Sequence, residues 1–461
     1  MEKISNIKYN INIFLFFLSI ITIIILNNDI SSIFTSLIFL LFSFFILYIF
    51  NCRKKIFYNF FFNIYTIGLF WIAISTFYRL YLNDFLQNTL DPNNFYKYST
   101  ISFDNISFID ILSATEGSLA IYIWRPFYNF FNYIGIGKPI LIGHLVNNIL
   151  VGFSGIIGLS ICKYIYPNHN NIYNRFTTLF LFCSMFWQFQ SIHFRDAFVL
   201  FFVTILFYFT IRYLFLNNTK NLISLIFSII ILSFLFTFLR TEFYIIPIVY
   251  FILTYFIDTL YNKKNKLKLF FGIFLLFLVV FIYLYFSNNY NTLVNYFYLA
   301  KNGYQEEVNN TASSSSLGQS LIINQPAYFR IILGSIYVHI FPIPFWFGFK
   351  LDTIYDLFVS LNLFYIIGIT PLIYLSYTIY NNTVIKKIKI YILLSYIFIV
   401  SAISMTSLET RHISVFYIPL IIQASTVDFT LFKNRYLKIL FFLISLLFFV
   451  NLLWFIIKIF K

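Results

Sequence analysis

The sequence predicts an all-α polytopic integral membrane helical bundle of about 13 spans, with a re-entrant segment at 330–350. Three observations lead there. Hydrophobic residues make up 60% of the chain and charged residues only 10%, where a soluble protein carries about a quarter charged. Apolar runs of about 20 residues recur along it, the length a helix needs to cross roughly 30 Å of hydrocarbon. The Lys and Arg residues cluster in short segments between alternate runs, as orientation signals do. Backbone polar groups must be satisfied internally in lipid, so the runs are helices and not open strands.

In chain order the runs lie near 10–26, 31–50, 56–78, 139–162, 176–192, 197–216, 222–239, 243–260, 269–287, 354–380, 389–407, 413–430 and 438–457. Lys3 and Lys8 precede the first run and no small-residue cleavage site follows it, so it is read as a retained helix and not a signal peptide. Alternate crossings place Arg53-Lys54-Lys55, Lys163 to Arg175, Arg212 to Lys220, Lys263 to Lys268, Lys386 to Lys389 and Lys433 to Lys438 on one side, expected to be cytoplasmic. Lys97, Lys138, Lys301 and Arg330 fall on the other side.

The stretch 330–350 is apolar but holds Pro342, Pro344 and Gly348. A full crossing there would carry the Lys386-Lys387 loop outside, hence the re-entrant reading, which lipid tolerates when such a segment is buried in protein. The C-terminus is then outside. Two outer segments remain, 79–138 and 288–329. The first holds Asp84, Asp91, Asp104, Asp110 and Glu116, then an amphipathic aromatic stretch, 122–128, suited to the membrane interface. The second is rich in Asn, Ser and Gln and reads as a lid or linker. Neither is long enough for a separate packed domain, so 1–461 is a single transmembrane domain.

The net charge of +15 is accounted for by the loop cations and gives no reason to expect nucleic acid. Cys52, Cys162 and Cys183 have no metal-ligand spacing and are expected as free thiols. There is no GxGxxG, Walker or HExxH pattern, so no cofactor or metal is expected, and a lipid-linked donor fits better than a soluble nucleotide sugar.

Arg79, Arg125, Arg195, Arg240 and Arg411 lie at the cation-poor ends of the runs, against the topological bias. In His193-Phe194-Arg195-Asp196, Arg240-Thr241-Glu242 and Glu409-Thr410-Arg411-His412 an acid adjoins the Arg, so a purely local ion pair is the simplest account of each. Taken together they suggest a polar site at one end of the bundle. Guanidinium is always charged and its planar fork binds two oxygens at once, which suits a lipid diphosphate. Arg195, Arg240, Arg411 and Arg125 are the candidate diphosphate ligands. A carboxylate could take the proton of an incoming sugar hydroxyl. Asp91 is the first candidate, with Glu409 and Asp84 behind it, and His193 and His412 as further candidates. His144, His339, Asn147 and Asn148 read as polar glue between helices.

Short motifs carry a resemblance. The stretch 191–198, Arg125-Pro126-Phe127-Tyr128 with Gly135-Ile136-Gly137 and Asn147-Asn148, Pro342-Ile343-Pro344-Phe345-Trp346, and Glu409-Thr410-Arg411-His412 before Tyr417-Ile418-Pro419 resemble elements of two groups. These are O-antigen and capsular polysaccharide polymerases, and membrane-embedded C-type glycosyltransferases. The resemblance implies a multi-pass protein of the bacterial inner membrane. It would pass a polyprenyl-diphosphate-linked glycan to a lipid-linked acceptor at the outer face, among membrane lipids and other envelope glycan assembly proteins. The C-type resemblance implies an acid in the first outer loop. Here that loop holds Asp29, and the acid-rich loop follows the third run. The alternatives are a C-type enzyme using a polyprenyl-phosphate sugar and a lipid-linked oligosaccharide flippase. Flippases favour repeats and Gly/Pro-broken helices; this chain shows no repeat and has only 14 Gly and 10 Pro.

Overall fold

The computed structural model describes residues 2–50, 52, 54–82, 91–100, 117–240, 243, 245–261, 322, 325–343, 345–346, 353–379, 383–405, 408 and 410–459. Among them the regular structure is helical. In chain order the helices are α1 (Glu2–Asn27), α2 (Ser31–Ile49), α3 (Lys55–Tyr81), α4 (Asp91–Thr100), α5 (Ser118–Tyr133), α6 (Leu141–Ile165), α7 (Asn170–Leu181), α8 (Ser184–Ser191) and α9 (Asp196–Leu216). They continue with α10 (Thr219–Leu239), α11 (Ile245–Tyr261), α12 (Ala327–Ile340), α13 (Ile354–Thr378), α14 (Thr383–Met405), α15 (Thr410–Ser414), α16 (Tyr417–Ala424) and α17 (Phe429–Ile459).

Eight of these are long and apolar enough to cross a membrane: α2, α3, α6, α9, α10, α13, α14 and α17. The chain is therefore a helical, multi-pass membrane protein. The count is lower than the 13 expected runs for identifiable reasons. The apolar parts of α1 and α11 are shorter, at Asn12–Asn27 and Ile246–Tyr261. The runs 176–192 and 413–430 are not single helices. The first falls within the broken pair α7 and α8, and the second is divided among α15, α16 and the start of α17. The run 269–287 and most of the segment 288–329 lie outside the described residues.

Helix α6 is the hub. Its spanning window is 78% buried, against 11% for α17 at the periphery. Gly152, Gly155 and Gly158 recur at three-residue spacing on α6, and a Cβ there would strike Phe61, Ile64 and Phe176 at 2.5–2.7 Å. Small residues at such spacing let large neighbours approach the backbone, a common basis for helix packing in lipid. Buried amides add directional contacts. Asn148 donates to the Tyr65 carbonyl, Gln190 to Asn148, and Asn362 to Gln188. Such bonds contribute about 0.6 kcal/mol each on average in membranes, and here they tie α3, α6, α8 and α13 together.

The charged residues sort to two ends. At the lysine end, Lys163 Nζ lies 4.2 Å from the Phe57 ring, joining the foot of α6 to that of α3. Arg175 pairs with Asp428. Lys387 pairs with Asp258, which also accepts from Tyr213 at 3.2 Å. Lys163, Arg175 and Lys387, from three of the segments expected on one side, each join two helices at this end. At the opposite, arginine end, Tyr78 of α3, Ile192, Phe194 and Ile354 of α13 pack into one small apolar cluster.

Helix α12 packs along α14. Arg330 Nε donates to the Ser404 carbonyl at 3.1 Å near the C-terminal end of α14, and His339 meets the Tyr396 hydroxyl at 2.7 Å part-way along it. The chain is back at the arginine end by Ile354. The helix stops at Phe341, ahead of Pro342, because proline has no N–H and restricts the residue before it.

Candidate functional site

The site grows from the turn between α8 and α9. Helix α8 ends at Ser191, and Arg195 is the N-cap of α9 with Asp196 in the first turn, where the helix dipole favours an acid. The turn is held from α6. Asn147 Nδ2 donates to the Ile192 and Phe194 carbonyls at 3.2 and 3.0 Å, and its oxygen accepts from the Trp124 indole at 3.2 Å. His193 is enclosed, with its ring 3.9 Å from Trp124 and its Nε2 3.1 Å from the Tyr128 hydroxyl. Burial pushes its pKa down to about 3, so the ring is neutral. Gly143 leaves room for it, since a Cβ there would lie 2.1 Å from the imidazole.

Held this way, the turn presents Phe194 and Arg195 to the same region. Arg195 Nη1 donates at 3.0 Å to Leu239, the last residue of α10, where a cation suits the helix dipole. Arg240 follows as the C-cap of α10. It bridges to Asp196 at 3.3 Å, and both side chains are 3% exposed. Its Nη2 also lies 3.5 Å from His412 Nδ1. The acid expected to serve its sequence neighbour Arg195 thus serves Arg240, 44 positions away. Arg411 stacks over the Phe194 ring at 4.7 Å. Its short helix α15 is fastened by Thr410, whose hydroxyl donates to the Val338 carbonyl at 3.1 Å.

All three arginines bear on one group. His412 is fully buried, and burial together with the charges of Arg240, Arg411 and Arg195 holds its pKa well below the ordinary histidine value. It is neutral, and acceptance from Arg240 at Nδ1 places its proton on Nε2. The fold thus brings Arg195, Arg240 and Arg411 from three distant segments to one place. Like charges repel most strongly where water is scarce, and the Asp196 carboxylate and the Leu239 carbonyl offset part of that cost here.

The other expected residues lie elsewhere. Arg125 is half-buried on α5 beside Trp124 and is not among the cations acting on His412. Asp91 opens α4 at the same end of the bundle. Asp84, Glu242 and Glu409 lie outside the described residues. Among the described residues no group of three His, Cys, Asp or Glu comes together as a metal site. Two buried polar residues were misread from sequence, Asn147 in the site and Arg330 outside it. Asn147 read as glue but orders the turn; its two carbonyl acceptors are 45 and 47 residues away. Arg330 read as a stray outer cation but is buried at 1% exposure against α14. The only signal for it was charge within an apolar run.

Comparison with known protein families, curated proteins and solved structures finds no match to this chain.

Proposed function

We propose that the chain is a glycosyltransferase of polysaccharide assembly that joins a polyprenyl-diphosphate-linked glycan to a lipid-linked acceptor. The observation that carries this reading is the convergence of Arg195, Arg240 and Arg411 around a neutral histidine. Preorganised guanidinium groups stabilise the charge that develops on a departing diphosphate. In the reaction an acceptor hydroxyl oxygen bonds to the sugar anomeric carbon as the bond from that carbon to the diphosphate oxygen breaks. The hydroxyl proton passes to a base, and the polyprenyl diphosphate leaves. His412 is a poor base, because protonation would add a fourth positive charge beside three arginines. The base in this reading is therefore a carboxylate, Asp91 or Glu409, with Asp84 behind them.

The reading includes thirteen crossings, α12 as a re-entrant segment, and the arginine end on the outer face of a bacterial inner membrane. The side is tested by labelling single cysteines in cells. Tyr133→Cys, at a position 90% exposed at the arginine end, should react with an impermeant reagent, and Lys220→Cys should not. The function is tested by deleting the gene and measuring surface glycan length. Loss of long chains with single repeats retained supports a polymerase, and unchanged glycan overturns it. Asp91→Asn should lower turnover far more than donor binding, as expected for a group that acts in the transition state.

A further inference from the structure

We propose that Phe95, Phe243 and Phe194 are positioning residues of the arginine site, each holding one guanidinium by its face so that the group meets a diphosphate edge on. The inference rests on the diphosphate reading of that site and adds what sets the planes of its three cations.

The pairing is one ring to one arginine. From guanidinium carbon to ring centre, Arg195 lies 5.6 Å over Phe95, Arg240 5.1 Å over Phe243 and Arg411 4.7 Å over Phe194. All three distances fall within the reach of attraction between a cation and a ring face. The rings are buried and come from separate segments: Phe95 from α4, Phe243 from just past α10, and Phe194 from the turn before α9. Each is braced by other side chains. Phe95 meets the Trp124 ring at 6.0 Å and Phe243 the Phe416 ring at 6.3 Å, while Tyr78, Ile192, Ile354 and Phe358 surround Phe194. The sequence makes room for the first pair at Gly117. A Cβ there would lie 2.7 Å from Phe95 and 3.1 Å from Arg195, and the backbone φ of 85° also favours glycine. The chain holds 66 Phe, so some contacts between Phe and Arg are expected by chance. Yet among the described residues Arg175 and Arg212 have no ring in such contact, so abundance alone does not put one over every arginine.

The chemistry of the pairing explains its use. A ring holds a guanidinium through its face and takes none of its N–H groups, which lie in the plane. The polar contacts made by these arginines agree with that division. Arg195 gives Nη1 to the Leu239 carbonyl, and Arg240 bridges to Asp196 and reaches His412. A guanidinium with one face against a ring meets further oxygens along its edge, the geometry of two parallel bonds to one phosphate. Fixing the plane beforehand also removes part of the cost of ordering a long side chain when the ligand binds.

The test is calorimetric titration of the full-length protein in detergent with geranylgeranyl diphosphate. Phe95→Leu and Phe194→Leu, which keep apolar bulk and lose the ring, should each weaken binding about three- to tenfold. A second series separates positioning from packing. Phenylalanines carrying one, two or three fluorines, placed at position 194 by stop-codon suppression, nearly keep the shape of the ring and drain charge from its face. Affinity should fall stepwise along that series while the melting temperature stays level. Level affinity along it, with binding still weakened by Arg411→Gln, makes Phe194 a packing residue; that overturns the inference and leaves the diphosphate reading standing. No binding by the wild type, or binding undiminished in Arg411→Gln, overturns both. Inorganic pyrophosphate as competitor separates lipid from free anion. Displacement only by a large excess supports the lipid, and displacement at equal concentration overturns it as the ligand. Surface glycan length reports separately on the transferase reading.

Discussion

The two ends of the bundle distribute positive charge differently. At the lysine end Arg175 meets Asp428 and Lys387 meets Asp258, so cation and anion come from different helices and pin them together. At the arginine end Arg240 likewise meets Asp196 of another helix, but Arg195 and Arg411 join it around one histidine. The first arrangement is what orientation and packing require. The second places three like charges around one neutral group, with Asp196 offsetting part of their repulsion. The lesson is that position relative to other cations, more than burial or sequence neighbours, distinguishes the two groups of charges.

The comparison can be broken most directly at the arginines. Arg240→Lys or Arg411→Lys keeps the charge and loses the fork, and under the proposed transferase function should lower glycan transfer about 30- to 100-fold. Arg212→Lys, near the lysine end of α9, should leave it unchanged. Turnover measured with the purified protein decides the matter, and equal rates for all three variants would remove the distinction between the ends.

A next-largest effect is expected at the lysine end, in stability and not in chemistry. Lys387→Met strands the buried Asp258 carboxylate and should cost about 3 kcal/mol, with most of it recovered in the double variant Lys387→Met, Asp258→Leu. Unfolding in detergent measures both. Smaller again is Gly143→Ala, where the new methyl meets the His193 ring and should cost about 1–3 kcal/mol. Gly368→Ala enters open space and should be stabilising by about 0.5–1 kcal/mol.

The smallest effect concerns pH. The folded state holds His412 neutral, with its pKa lowered from 6.5 by burial and the three arginines. The unfolded chain therefore binds the proton more readily, and stability declines as pH falls below 6.5 while being unaffected by this group above it. Melting temperatures of wild type and His412→Asn between pH 7.5 and 5.5 should diverge on the acid side. Parallel curves would mean that the field at His412 is weaker than the arrangement implies.

Much of the fold was legible in the chain. The run 197–216 is α9 at Asp196–Leu216, and 222–239 is α10 at Thr219–Leu239, because long apolar stretches bounded by polar residues leave a helix little choice. The break between α7 and α8 was not legible. It falls at Phe182 and Cys183, with no proline or glycine to announce it. The arginines of the site stood out because they opposed the charge bias. Their pairing did not, since Asp196 passes over its neighbour Arg195 for Arg240 through a contact that only the packing of α9 against α10 creates.

That break has a consequence for how the protein reaches its membrane. Helix α7 has 12 residues and α8 has 8, each short of the length that crosses a bilayer alone. The carbonyls freed at the end of α7 find donors in other parts of the chain. Tyr365 of α13 serves Leu179, and Trp187 of α8 serves Leu181. Tyr365 is made almost two hundred residues later, so during synthesis the Leu179 carbonyl must wait in another environment. The Leu179 carbonyl therefore has its final partner only once α13 has been made and packed against α7.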